Sequence, residues 1–514
     1  MESKHKEILK MVKLEVEDIQ GIIRRGYGNL EEACFLMLEI VDAAKAKKWI
    51  GEIADKVRDG TMKPEKSETC INIAFTQEGF DKLGLQNAFH EDKRFSIEFE
   101  DGMVTKHRTN ILGDSGDSEP YKWDWGNPTK DRIHIVLLLY AGDQNALDKL
   151  YEEQQKAWDS NGIKQIIMLN TIHLPDTKEH FGFRDGIAQP HVAGLLDRHK
   201  EKKDQNISQK ILKNGGSENN ILAAGEFVLG YPNIYKKLPS SPKVKKSSDS
   251  NDFLQDDGEG AKDLGRNGSY LVFRQLKQHV GNFWKYLDDS TKTNSGESDA
   301  DSRDKLGAKM VGRWRSGCPV ALSPDKDDPN LKDADDFGYF PLDKDGDKCP
   351  MASHVRRTNP RNSPLLRGDH TQEAADSALN DANRHRILRR GRAYGKPSAD
   401  SMEPEDILKA YDGASEDVGL QFLCFNANIG RQFEFIQHTW INNPKFAELY
   451  SESDPLLGES NPKSIERGIY GDFTAPGNPI RQRVRGLKRF VDVKGGAYFF
   501  MPGIKALKYL AKLS

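Results

Sequence analysis

The chain runs to 514 residues and carries 76 Lys and Arg against 79 Asp and Glu, a formal charge of −3 at pH 7. That balance lacks the global basic field that attracts nucleic acid and any acidic solvating tail, so no nucleic-acid partner is expected. Five cysteines, Cys34, Cys70, Cys318, Cys349 and Cys424, are odd in number and widely spread; they make no disulfide framework and no CxxC pair, which fits a reducing compartment.

The N-terminal stretch MESKHKEILKMVKLEVEDIQ alternates charge with single apolar residues and does not read as a secretory signal. No run approaches the ~18 apolar residues of a membrane helix, so the expectation is a cytoplasmic protein with no membrane partner. ACFLMLEI (33–40) is a compact apolar run, and VDAAKAKKWIGEIADKV behind it repeats apolar residues at helical spacing. TCINIAF (69–75) reads as a strand and GFDKLG as a short helix, before a polar, glycine-rich insertion near 110–130. HIVLLLY (134–140) is a buried strand, NALDKLYEEQQKAW an amphipathic helix, and IKQIIMLNTIHL a further strand. Strand, helix, strand, strand, helix, strand is the split βαβ plan of a ferredoxin-like α+β sandwich.

The rhythm returns. GSYLVFRQL (268–276) runs into QHVGNFWKYL, HRILRRGRAYG and GLQFLCFNA pair as strands, IGRQFEFIQHTWI is helical, and GGAYFFMPGIKALKYLAKL closes with strand and helix. The sequence therefore predicts an α+β protein of two ferredoxin-like halves, 1–235 and 236–514, each an antiparallel sheet packed with helices. Three polar insertions fall near 239–265, 288–303 and 323–348, the first expected to be mobile. The third is Asp-rich, but its glycine misses the EF-hand position and no closing glutamate follows, so a solvated loop is expected there.

Three segments carry residue types suited to chemistry. In FGFRDGIAQP (181–190), Asp185 sits between Gly182 and Gly186; alone, Asp-Gly is a turn signal. In CPMASHVRRTNPR (349–361), His354 precedes Arg356, Arg357 and Arg361. An imidazole beside guanidinium groups suits an iron porphyrin, with arginines against its propionates; alone, the segment reads as a basic loop. Cys349 and Cys318, each before a proline, keep thiolate ligation open, while the lack of CxxCH argues against covalent attachment. In RHRILRRGRAYG (384–395), alternation on a strand sends Arg389 and Arg390 to opposite faces.

Together the three segments resemble one family, the dye-decolourising peroxidases: the distal GxxDG as Gly182-Phe183-Arg184-Asp185-Gly186, the proximal histidine segment as CPMASHVRRTNPR, and the distal arginine strand as ILRRGRAYG. IQGIIRRGYG, GEFVLGYPN, GRWRSGCP and GLQFLCFNANIGRQFEFIQHTW extend the match along most of the chain, and the length resembles the larger members. The resemblance implies a non-covalent haem b enzyme with the haem mainly in the second half. His354 would be the proximal iron ligand, Asp185 the distal acid-base and Arg389 the distal arginine, chosen over Arg390 because it stands two before Gly391. Leu420 and Phe422 match apolar distal residues, Gly186 lies in the cofactor-side turn, and Arg356 and Arg361 would meet propionates. A carboxylate behind His354 is implied without a place in the sequence.

The implied reaction splits hydrogen peroxide heterolytically and then takes electrons from dyes, phenols or other aromatic donors. Asp185 acts only while ionised; its reference pKa is ~3.9 and a nearby arginine lowers it, so an acidic optimum is expected. Bulky donors would need Tyr or Trp residues to relay electrons, with Trp284, Tyr286, Tyr394 and Trp440 as candidates and ordinary core packing as the plainer reading of each. Sandwiches of this kind often associate, which leaves a homodimer open. The competing reading is a protein that binds or carries haem without efficient peroxidase turnover. Asp185 and Arg389 argue against it, since a carrier has no use for a distal acid-base pair.

Overall fold

The computed structural model describes residues 13–130, 132–195, 221–364, 370–414, 416–458, 471–477 and 480–513. In the first half, strands β1 (Glu32–Ile40), β2 (Thr69–Phe75), β3 (Ile135–Ala141) and β4 (Ile163–Asn170) are joined through helices α1 (Ala43–Ala54) and α2 (Gln144–Asp159). The second half repeats this with β5 (Ser269–Gln278), a strand pair β6 (Leu388–Arg389) and β7 (Arg392–Tyr394), β8 (Gly419–Asn426) and β9 (Val491–Met501). Its helices include α3 (Val280–Thr291), α4 (Ala300–Val311), α5 (His354–Thr358) and α6 (Ile504–Lys512), with a π-helical stretch over 430–441. Aspartates start α1 and α2: Asp42 accepts from the Lys45 amide and Asp143 from the Ala146 amide, satisfying otherwise orphaned donors.

Both halves have the ferredoxin-like strand order, β2-β3-β1-β4 in the first and β6-β8-β5-β9 in the second. They do not keep separate sheets. One ladder pair, Phe500 with Phe75, joins β9 to β2 and fuses them into a single nine-stranded sheet. The far edges also meet: Ile172, just beyond β4, donates its amide to the Ala393 carbonyl of β7 at 2.8 Å. The sheet thus curls round on itself, which removes the exposed edges two open sandwiches would have.

Period-two alternation sorts the strand residues into two cores. Phe35, Met37, Leu138, Tyr140, Phe273 and Phe499 fill the inside of the curl. Leu36, Leu38, Leu137, Leu139 and Val272 face outward onto the helices. Because both faces are covered, β3 is buried along its whole length, which explains its unbroken apolar run IVLLLYA.

The polar insertions are more ordered than their composition suggests. Lys243–Lys245 pairs with Ala261–Asp263 as a ribbon, and Asp257 accepts from Lys243 Nζ at 2.7 Å and from the Ala261 amide at 2.9 Å. The 288–303 stretch finishes α3 and starts α4. In the third insertion the solvated reading fails for two acids: Asp335 and Asp343 are buried, each ion-paired to an arginine. Among the described residues no cluster of His, Cys, Asp or Glu could hold a metal ion on its own, and no helix is long and apolar enough to cross a membrane.

Candidate active site

A cavity with about 1860 Å³ of empty space, part of it open to solvent, lies between the outer face of the second half's strands and the helices beneath. Strand register builds one wall: Phe422 stands beside Arg274, and Leu420 beside Leu276 and in turn Val493. The opposite wall carries His354 and Val355 of α5, Val311 of α4, and Phe433 and Ile436 of the π-helical stretch. The turn 181–188 closes one side. Asp185, Arg389, His354, Leu420 and Phe422, five residues spread over more than 230 positions, all line this one space.

Asp185 and Arg389 form a direct ion pair, with Nη1 of Arg389 2.7 and 3.0 Å from the two carboxylate oxygens. Burial pushes the Asp185 carboxyl up, but the Arg389 charge and hydrogen bonds, with the Gly186 amide at 2.6 Å, outweigh it and leave it below the ordinary aspartate range. Arg389 is raised, chiefly by the Asp185 charge. Gly186 adopts φ +81° and Gly182 φ +90°, backbone that L side chains rarely tolerate, so the turn needs both glycines. The turn is pinned to the arginine strand twice more: the Arg389 amide donates to Gln189 Oε1 at 3.1 Å, and Arg386 Nη2 to the Ala188 carbonyl at 3.0 Å. Arg184 turns the other way, toward Lys332 and Asp333, bonding the Lys332 carbonyl at 3.2 Å and the Asp333 carboxylate at 2.5 Å.

Arg390 separates from Arg389 as alternation requires. Its Nε donates to the Ile22 carbonyl at 3.0 Å and its Nη2 to Ile23 and Arg24 carbonyls at 3.2 and 3.3 Å. It caps the last carbonyls of the short Gly21–Arg24 helix instead of reaching the cavity.

His354 Nδ1 donates to Asp454 Oδ2 at 2.9 Å, which leaves Nε2 for the cavity. Burial pushes the free ring down, but the Asp454 charge and hydrogen bond outweigh it and raise it above the usual histidine value. Asp454 is itself fixed, its Oδ1 accepting from the Leu456 and Leu457 amides at 2.9 Å. This carboxylate, 100 residues from its histidine, has no local sequence signal beyond an Asp-Pro turn.

Arg356 and Arg361 are not cavity residues. Arg356 is fully buried, pairs with Asp343 at 2.9 Å, bonds the Cys349 carbonyl and Ser363, and lies over the Tyr339 ring. Arg361 pairs with Asp335 and donates to the Asp335 and Phe337 carbonyls. Their sequence neighbourhood is right, but Arg356 on α5 and Arg361, three residues beyond its end, both turn their guanidinium groups into the third insertion. The cations that do line the cavity include Arg313 and Arg386 toward one end and Arg274 and Arg489 from the strand wall. Burial pushes the Arg386 guanidinium down to about 10. Cys349 and Cys318 are buried away from the cavity, with burial pushing both thiols up, so neither serves as the thiolate alternative. Trp284, Tyr286, Tyr394 and Trp440 are all buried, the core reading of each.

The cavity suits a flat, largely apolar cofactor with an anionic edge. Leu276, Leu420, Phe422, Val493, Leu456 and Leu457 offer apolar surface, guanidinium groups stand at its margins, and one imidazole presents a nitrogen. An apolar space with a few converging polar groups is the usual make-up of a cofactor site.

Known proteins resemble this chain in sequence and in fold. Residues 18–174 match a family model described as the DyP dimeric alpha+beta barrel domain. A dye-decolorizing peroxidase from Exidia glandulosa is 29% identical, the alignment covering 96% of this chain and 86% of that one. A multifunctional dye peroxidase from an Amycolatopsis species is 34% identical over 47% of this chain and 49% of its own. The crystal structure of a decolorizing peroxidase from Auricularia auricula-judae superposes with a TM-score of 0.73 at 26% identity, covering 97% of this chain and all of that one.

Proposed function

We propose that the chain is a dye-decolourising peroxidase, as its likeness to that family supports, and that it uses hydrogen peroxide to oxidise dyes and phenolic or other aromatic donors through a haem b held without covalent attachment. The observation that carries this reading is the Asp185–Arg389 pair at 2.7 Å in the same cavity as His354.

His354 would hold the iron through Nε2, with Asp454 accepting from Nδ1 and so fixing the ring's orientation and making it a stronger donor. Leu420 and Phe422 would lie against the macrocycle, while Gly186 is not among the cavity-lining residues and acts through its amide on Asp185. For the propionates, Arg386 and Arg389 replace Arg356 and Arg361: both line the cavity, and a buried guanidinium held down to about 10 gains from a carboxylate beside it. When bound, haem would supply the iron centre at which peroxide is reduced and would hold the two oxidising equivalents taken from peroxide until two one-electron donors supply the electrons.

The chain's own residues handle protons and charge. Peroxide heterolysis needs a base to carry a proton from one oxygen to the other, and a cation for the charge on the leaving oxygen. Asp185 is suited to the first because Arg389 keeps it ionised even in acid. Arg389 is suited to the second and stays charged throughout. Leu420 and Phe422 present apolar surface in the same cavity as the pair. The sign follows: activity should persist as pH falls until it passes through the lowered Asp185 value, which places the acid limb below the ordinary aspartate range.

Mixing haem-loaded protein with one equivalent of peroxide tests the reading. A peroxidase gives a rapid, stoichiometric change in the haem spectrum that an aromatic donor reverses; a haem carrier gives slow bleaching only. His354→Ala should lose bound haem in gel filtration, and full haem retention there would overturn the ligand assignment.

A further inference from the structure

The turn that carries Asp185 is held by a residue that has no part in the reaction as drawn so far. Glu179 lines the same cavity. Its Oε2 accepts from the Phe181 amide at 2.9 Å and from Gln278 Nε2 at 2.5 Å, while Oε1 accepts from the Phe183 amide at 3.0 Å. Its own amide donates to the Phe183 carbonyl at 3.0 Å, and its carbonyl accepts from the Gly182 amide at 2.8 Å. One residue therefore engages the turn through both side chain and main chain. Gln278 brings in the sheet, since it lies on β5 two positions from Leu276, which faces the same cavity. The alternate residues Phe181 and Phe183 point to α3, packing on Phe283 at 4.7 and 6.3 Å between ring centres.

We propose that Glu179 is a positioning residue for Asp185: the Glu179–Gln278 bridge ties the turn 181–186 to the strand wall and so fixes where the Asp185 carboxylate stands against Arg389. This rests on the reading of Asp185 as the group that moves the peroxide proton. Two buried amides two residues apart need acceptors on the same side, and a carboxylate supplies them where an amide side chain cannot. Gln at 179 would offer one oxygen and turn an NH2 against an N–H.

The bridge also suits a site that works in acid. Burial, helped by the Asp185 charge and opposed by the three hydrogen bonds, pushes the Glu179 carboxyl up to about 7. Gln278 Oε1 is buried with no hydrogen-bond partner in its present orientation. Rotating that amide would turn Oε1 to accept from a protonated Glu179, so the tie to the strand survives when the carboxyl takes up a proton. Asp185 is the charged group that acts on Glu179 from the turn itself, and Gln278 is the polar group facing it from β5.

The test compares haem-loaded wild type, Glu179→Gln, Gln278→Leu and Asp185→Asn by rapid mixing with peroxide across the acid range, with deuterium uptake of the 179–186 peptide as a second readout. Glu179→Gln should slow the peroxide reaction on the order of tenfold or more, as displaced catalytic groups do. It should move the acid limb to higher pH, because Asp185 loses its fixed pairing with Arg389, and raise uptake at 181–186. Gln278→Leu, which keeps the carboxylate and cuts only its tie to the sheet, should move all three the same way by less, and carries the test if Glu179→Gln fails to fold. An unmoved acid limb in both variants overturns the proposal, even where uptake rises, since that leaves Glu179 a purely structural role. A full rate in Asp185→Asn would instead overturn the reading of Asp185 itself.

Discussion

On the outer face of the first half, Trp49, Ile50 and Ile53 of α1 and Leu147, Leu150 and Trp158 of α2 pack down onto β1 and β3 and fill the space with apolar side chains. On the matching face of the second half, the strands carry Arg274, Gln278 and Arg389 among their leucines, and the helices stand off far enough to leave the cavity. Strand order is the same in both. The repeat therefore supplies a scaffold twice, and chemistry follows from which side chains one outer face presents. Where helices close onto the strands, substitution should cost stability; where they stand off, it should cost reaction rate.

The largest effect that can break this contrast is in the first half. Trp49→Ala removes a fully buried indole and should cost about 3–5 kcal/mol of stability, read by chemical denaturation, while turnover per folded, haem-loaded molecule stays unchanged. Next comes Arg389→Leu in the second half, which should slow the peroxide reaction by ~10²–10³-fold, the usual loss for a charge-stabilising donor. The same variant takes away the group that lowers Asp185 and leaves the burial that raises it, so the acid limb should move to higher pH. An unmoved limb would separate Arg389 from the titration. The smallest effect sharpens the contrast to neighbouring residues: Arg390→Leu strands the carbonyls of residues 22–24 and should cost about 1–3 kcal/mol, with the peroxide rate untouched. Thermal melts and rapid mixing on the same preparation check both halves of that statement.

Much of this arrangement was legible in the sequence because it depends on periodicity and local turns. Alternation alone separates Arg389 from Arg390, and the flanking glycines mark the turn at Asp185. Fusion into one curled sheet was not legible, because it rests on a single ladder pair at Phe500 and a single bridge at Ile172. Asp454 escaped for a similar reason: chain topology brings it to His354 from 100 residues away. Arg356 and Arg361 misled because proximity in sequence to His354 says nothing about which way a guanidinium group turns, whether from α5 or from the chain just beyond it. Their partners, Asp343 and Asp335, lie in the Asp-rich insertion that composition alone assigns to solvent. Glu179 gave no signal because its importance lies in which amides converge on it.

The central claim is that Asp185 moves the proton when peroxide is cleaved. The most direct measurement is the second-order rate of the haem spectral change on mixing peroxide with Asp185→Asn, against wild type at equal haem content. The account predicts a fall of ~10²–10⁴-fold, the range expected for a lost general base, with haem still bound through His354. An undiminished rate in a variant that keeps its haem would contradict it.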